Sequence, residues 1–117
     1  MGNLLFGAAS DPMAESTVAG HIADNKVVMF SKSYCPFCVQ AKEILKAGGV
    51  DFLAVELDQV DGGSALQAAL LGISGQRTVP NTYIGQAHLG GCDDLKAAKG
   101  SGKLAEMLNA AGAEHSF

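Results

Sequence analysis

Ser31-Lys32-Ser33-Tyr34-Cys35-Pro36-Phe37-Cys38 decides the fold, together with the apolar run Val27-Val28-Met29-Phe30 before it and the helical pattern Val39 to Lys46 after it. A C-x-x-C placed where a strand hands over to a helix reads as a redox-active dithiol. Two residues between the cysteines let one helical turn bring the sulfurs within disulfide distance. A thiol at the helix start meets free N–H groups and the positive dipole end, which favour thiolate over thiol. Lys32 adds a nearby positive charge. Pro36 falls at the first helical position, where its missing N–H costs nothing. Cys38, Ala41 and Leu45 recur at i, i+3 and i+7 with Ile44 beside them, so Cys38 points inward. Cys35, at the cap, meets solvent. Cys35 is therefore the expected nucleophile and Cys38 the resolving thiol. A zinc site needs about four ligands, and the chain has no second C-x-x-C or C-x-x-H. A structural disulfide is rarely placed on the first turn of a helix.

Composition narrows the class. A chain of 117 residues with 48% apolar content supports one globular domain. A net charge of -4 without a basic cluster excludes an electrostatic nucleic-acid binder. Three cysteines, two of them in one tetrapeptide, do not form a secreted disulfide framework. A reducing, cytoplasmic setting fits better. No apolar run approaches the roughly 20 residues that span a bilayer. Asn3 to Ala9 is apolar but short, and the first basic side chain is Lys26, unlike a secretory or transit signal. Phe6 stands where a myristoylation motif after Gly2 needs Ser or Thr. Residues 1–10 are expected to be a flexible tail ahead of a domain over 11–117. A trimmed form of a longer precursor would look the same.

The rest of the chain alternates strands and helices. Asp11-Pro12 opens a helix to about Asp24 that buries Val18 and Ile22, with His21 at the surface. Lys26 to Ser31 is a strand buried on both faces. Gly48-Gly49 stops the helix after Cys35, and Phe52 to Leu57 is a second, parallel strand. Ser64-Ala65-Leu66-Gln67 matches a capping box and starts a helix through Leu70-Leu71, with Gly72 to Arg77 returning the chain. Strands Thr82 to Ile84 and Ala87 to Leu89 flank Gly85-Gln86, a two-residue turn with Gly first. Cys92 starts a further helix, and a last one carries Leu104, Met107, Leu108 and Ala111 up to Gly112. This order predicts an α/β chain with a mixed four-stranded sheet flanked by helices, a thioredoxin-like fold.

Three segments then fall near one end of the sheet: the dithiol, Thr78-Val79-Pro80 and Gly90-Gly91-Cys92-Asp93-Asp94. Pro80 reads as a cis-bonded turn or as a plain edge-strand proline. The paired glycines allow close approach of another molecule to a helix start, or merely a tight turn with two capping aspartates. In this order and spacing the three motifs resemble those of a dithiol glutaredoxin, and the resemblance covers roughly Val18 to Gly112. It implies a glutathione-dependent thiol–disulfide oxidoreductase, a monomer without a metal. Its partners would be glutathione as co-substrate and glutathionylated or disulfide-bonded proteins, with no membrane or nucleic acid involved. Carried over by position, Lys32, Gln67 and Arg77 would meet the glycine carboxylate of glutathione. The Val79 backbone, beside a cis Pro80, would hold its cysteine moiety, with Thr78 also in the glutathione site. Gly91, the Cys92 and Asp93 amides and the Asp94 side chain would hold its γ-glutamyl end. Gln67 keeps its rival role in the capping box. Many dithiol members carry Tyr where this chain has Phe37, whose ring can pack on glutathione but offers no hydroxyl. The Cys92 thiol reads as a small buried hydrophobe.

Two other classes share parts of this pattern. Iron–sulfur glutaredoxins bridge two subunits with a cluster, but often lack the proline or the second cysteine. Thioredoxins, recycled by a flavoprotein reductase, usually carry Trp before the first cysteine. This chain has no Trp.

Overall fold

The computed structural model describes residues 11–117, so the expected tail and the readings on Gly2 to Ala9 lie outside the described residues. The elements are α1 (Pro12–Asp24), β1 (Val27–Ser31), α2 (Pro36–Ala47), β2 (Leu53–Glu56), α3 (Gly63–Ser74), β3 (Asn81–Ile84), β4 (Ala87–Gly90), α4 (Cys92–Ser101) and α5 (Lys103–Ala110). The strands form one sheet in the order β2-β1-β3-β4. β1 runs parallel to β2 and antiparallel to β3, and β3 is antiparallel to β4. The mixed four-stranded sheet flanked by helices is the one expected.

β1 is one of the two interior strands and all five of its residues are buried. Because successive side chains alternate across a strand, its apolar run feeds two cores. Val28 and Phe30 join Ala14, Val18 and Ile22 of α1 and Leu66, Ala69 and Leu70 of α3. Val27 and Met29 face the opposite way, onto Ala41 and Leu45 of α2, Leu95 and Ala98 of α4, and Leu104 and Leu108 of α5. The result is a three-layer arrangement, with the end of β1 delivering the chain into the dithiol. Asp11 caps α1 through a hydrogen bond from Met13 N to its Oδ1 at 2.9 Å. No helix among the described residues is long and apolar enough to cross a membrane.

Three local expectations are corrected. The capping box at Ser64–Gln67 does not form: α3 already starts at Gly63, and its cap is Gly62 in the left-handed region (φ 71°). The cause is a close approach, since a Cβ on Gly63 would collide with the Leu57 carbonyl oxygen at the end of β2. Glycine is what lets the helix start there, and Ser64 is left inside the first turn. The same helix runs past Leu71 to Ser74, where Gly75 ends it at φ 76° with its N–H on Leu71 O. The hairpin turn has both central residues at positive φ, Gly85 at 57° and Gln86 at 69°. That is the type I′ pattern, which matches strand twist but asks a left-handed conformation of Gln86 as well as of Gly85.

The glycines give opposite outcomes for one substitution. Gly63→Ala is expected to lower stability by about 2 kcal/mol or more, because the added methyl meets backbone that cannot yield. Gly20→Ala, inside α1 with open space around it, is expected to raise stability by about 0.5 to 1 kcal/mol. Urea unfolding of both variants checks this, and equal midpoints would reject the close approach at Gly63.

Candidate active site

β1 ends at Ser31, and a tight turn (Cys35 N to Lys32 O, 3.0 Å) places Cys35 as the N-cap of α2. Val39 N reaches Cys35 O at 3.0 Å and starts the helical ladder. The turn is clamped from the loop after β2. Asp58 Oδ1 accepts from Ser33 N at 2.9 Å, and Asp58 Oδ2 accepts a very short hydrogen bond from Ser33 Oγ. These bonds hold the Asp58 carboxyl below its ordinary value, and the Lys32 ammonium adds to the effect.

The two thiols are unequal, as the helical spacing predicts. Both are reduced, Cys35 half-buried and Cys38 fully buried. Burial alone would push the Cys35 thiol up. The backbone N–H and thiol of Cys38, the Phe37 N–H and the Lys42 ammonium outweigh it and pull Cys35 below the ordinary thiol range. Burial raises Cys38. The ammonium acting on Cys35 is thus Lys42 rather than the expected Lys32. Lys42 sits on α2 and is itself steadied by Glu56 of β2, Nζ to Oε2 at 2.7 Å. Lys32 acts on Asp58 instead. Tyr34 and Phe37, the chain neighbours of the Cys35–Pro36 pair, are exposed by 71% and 57% and present apolar surface there.

Strand register brings the second segment beside the first. Phe30 pairs with Asn81 across β1 and β3, so the next step along the ladder sets Pro80 opposite Ser31. The Val79–Pro80 peptide is cis. A groove of about 500 Å³ runs from Phe37 past Thr78, Val79 and Pro80 to Gly91, Cys92, Asp93 and Asp94. At its far end α4 begins, where the first N–H groups of the helix have no helical acceptor. Asp94 Oδ2 accepts from Gly91 N at 2.8 Å, so the aspartate does cap the helix. Gly90, at φ 112°, is required there because a Cβ would strike the Asp94 carboxylate. Gly91 needs no such conformation (φ -90°), and its bare Cα lines the groove.

Lys32, Gln67 and Arg77 are not part of that lining. Gln67 Nε2 donates to Arg77 O at 3.0 Å, tying α3 to the turn. Cys92 is buried between α2 and α4, its Sγ 3.8 Å from Gln40 Oε1, as expected of a small core side chain. Sequence reasoning missed Gln76. Its Nε2 donates to both Thr78 O and Pro80 O at 2.9 Å, and its side chain lines the groove. The available signal was the bend itself: its carbonyls leave the sheet ladder and need donors, and a primary amide supplies two. Asn81 completes the support, with Nδ2 donating to Ser74 Oγ at 3.1 Å and Oδ1 2.9 Å from His88 Nε2. A second, larger cleft of about 590 Å³ lies between Asp24–Val27, 49–53 and 112–114, and no thiol lines it. Among the described residues no three His, Cys, Asp or Glu side chains gather as a metal site.

The assembled groups suit thiol–disulfide exchange: a thiol whose anion is favoured, a second thiol one turn away, and a groove ending at helix-start amides and carboxylates. Known proteins agree. The glutaredoxin family model matches residues 27–89. A glutaredoxin of Solanum lycopersicum is 52% identical over 92 residues, which cover 79% of this chain and 85% of the relative. Glutaredoxin-C6 of Oryza sativa is 48% identical over 101 residues, covering 86% and 90%. Among solved structures, wheat glutaredoxin superposes with a TM-score of 0.84 at 48% identity, covering 90% of this chain and 97% of that one. A buckwheat glutaredoxin–glutathione complex superposes with a TM-score of 0.84 at 44% identity, covering 86% and 92%. The chain belongs to the glutaredoxin family of thiol oxidoreductases.

Proposed function

We propose that this chain uses glutathione to reduce protein–glutathione mixed disulfides and protein disulfides through Cys35 and Cys38. The observation that carries the reading is the placement of a pKa-lowered Cys35 at the open cap of α2, beside the groove that ends at Asp94. A relative crystallised with glutathione supports the choice of co-substrate.

The Cys35 thiolate attacks the glutathionyl sulfur of a mixed disulfide, and the target leaves as a thiolate that takes a proton from water. A glutathione thiolate then attacks the same glutathionyl sulfur. It releases Cys35 as a thiolate and glutathione disulfide as product, so one glutathione is spent and the other half of that disulfide is the group taken from the target. With a protein disulfide, Cys35 is left joined to the target. Cys38 attacks Cys35, frees the target and closes the intramolecular disulfide, which two glutathione molecules reopen.

Glutathione offers a carboxylate at each end and an ammonium at one. In this reading its cysteine moiety lies along Thr78 and the Val79 backbone beside Pro80, under the Phe37 ring. The γ-glutamyl carboxylate takes the Cys92 and Asp93 amides past Gly91, and the ammonium takes Asp94. Asp94 keeps Oδ1 for this, because Oδ2 is engaged by Gly91 N. Lys32 and Arg77 serve the glycine carboxylate from beyond the groove, and Gln67 positions Arg77 through its carbonyl.

Cys35 is expected to titrate below about 8.5, the midpoint of a free cysteine. Its folded-state pKa is depressed, so turnover should be sustained above that pKa and fall as pH drops through it. Thiolate absorbance at 240 nm in the Cys38→Ser variant, which keeps a hydroxyl donor to Cys35, reads the midpoint. A value at or above 8.5 would reject the activation. Asp94→Asn preserves an acceptor for Gly91 N while removing the charge. It should raise KM for a glutathionylated substrate about tenfold with thermal stability unchanged, and an unchanged KM removes the ammonium contact. Cys38→Ser should keep or gain activity on glutathionylated protein and lose most reduction of protein disulfides, whereas Cys35→Ser loses both. Equal loss of both activities in Cys38→Ser would overturn the division of roles. Coupling the assay to glutathione reductase and, separately, to thioredoxin reductase distinguishes this reading from a thioredoxin.

A further inference from the structure

Ser31 closes β1 fully buried, and its Oγ has no hydrogen-bond partner. Its main chain is satisfied, with Leu57 N donating to Ser31 O at 2.8 Å. An unpaired buried hydroxyl works against stability. Alternation along β1 puts Ser31 on the face of Val27 and Met29, the side covered by α2. Cys38, also fully buried, belongs to the inward side of α2 that covers this face. The Ser31 hydroxyl and the Lys32 backbone N–H are the groups that favour the Cys38 anion against the burial that opposes it. Across the parallel ladder Ser31 pairs with Glu56, whose Oε2 is held by Lys42 at 2.7 Å while Oε1 has no hydrogen-bond partner. The titratable groups around the pair are therefore Cys35, Lys42 and Glu56, the last two bound to each other.

We propose that Ser31 is a positioning residue for the resolving step, its hydroxyl held in reserve to donate to the Cys38 sulfur while that sulfur carries negative charge. The proposal rests on the reading of Cys38 as the resolving thiol. In the forward step Cys38 attacks Cys35 as its proton is lost, and that proton ends on the departing target thiol. The Cys38–Cys35 bond forms, the Cys35–target bond breaks, and the target leaves with the electron pair. In the return step a glutathione thiolate attacks Cys35, the Cys35–Cys38 bond breaks, and Cys38 leaves as a buried thiolate before taking a proton. Water cannot solvate this anion freely, so a donor inside the protein has to. Neither the resting thiol nor the disulfide needs that donor. Ser31 therefore acts on the barrier in both directions and not on the equilibrium between the end states.

Three forms of the oxidised protein test this: wild type, Ser31→Ala and Ser31→Thr. Single-turnover reduction by glutathione should be about tenfold slower in Ser31→Ala, the scale of one hydrogen bond to a charged group. Ser31→Thr, which keeps a hydroxyl, should recover most of the rate. The equilibrium potential against glutathione should not move, and the melting temperature of Ser31→Ala should hold or rise, because an unpaired buried group has gone. In a Cys35→Ser background, Ser31→Ala should shift the Cys38 thiolate titration upward. Wild-type rates in Ser31→Ala overturn the proposal, and so does slowing accompanied by a changed potential or by an equal loss in Ser31→Thr. If glutathione fails to reduce the wild-type disulfide at all, the functional reading falls and takes this proposal with it.

Discussion

A thiol whose anion is favoured, set at the end of a buried strand, is the constraint that the rest of this structure serves. Cys35 stands where β1 stops and α2 starts, half out of water, so part of its solvation has to come from protein. The Cys38 and Phe37 amides supply it because they are the first N–H groups of a helix and have no carbonyl behind them. That supply exists only while α2 keeps its direction. Leu45 and Ala41 anchor the helix on β1, and Asp58 anchors the preceding turn through Ser33. Lys42 adds its charge from the same helix, pinned by an ion pair to β2. A carboxylate there neutralises part of the ammonium field and in return fixes where that field originates.

The groove is aimed at the sulfur by strand pairing rather than by side-chain contacts between the two. Because β3 is laid directly on β1, with Asn81 against Phe30, the chain before Asn81 must run beside the chain after Phe30. Pro80, lacking an N–H, ends the ladder at that point, and the backbone around it becomes available to a ligand. Its carbonyls would pull the turn elsewhere if unsatisfied. Gln76 takes the carbonyls of Thr78 and Pro80, and Gln67 holds that of Arg77 from α3. One face of the sheet thus carries the thiols on α2, and the other supports the turn they work against.

What is legible in the sequence follows from how local each cause is. The strands, the dithiol helix, the inward turn of Cys38 and the start of α4 at Cys92 depend on periodicity and on residues a few positions apart. Features set by distant chain are not visible in that way. Ser64 to Gln67 has the letters of a capping box, yet the Leu57 carbonyl decides where α3 begins and selects Gly63. Lys32 is nearer to Cys35 in sequence, yet its charge acts on Asp58, and the charge favouring the Cys35 anion comes from Lys42 farther along α2. Gln76 looks like any polar residue after a helix until the bend shows which carbonyls lack a donor. In each case the sequence names a residue type, and the tertiary neighbour assigns its task.

The two sulfurs need different surroundings. In the proposed cycle Cys35 has to be an anion at rest, and the groups that favour its anion include the permanent backbone N–H groups of Cys38 and Phe37. A resolving thiol that were an anion at rest would stand beside the Cys35 thiolate, and two negative charges one helical turn apart oppose each other. Burial of Cys38 removes that conflict by keeping it neutral. Burial also makes the anion costly at the moment it is required. A fixed donor strong enough to remove that cost would bring the conflict back. A single side-chain hydroxyl, free to rotate and otherwise unpaired, avoids both extremes, and Ser31 is placed at the end of β1 where such a group can reach the sulfur without meeting water.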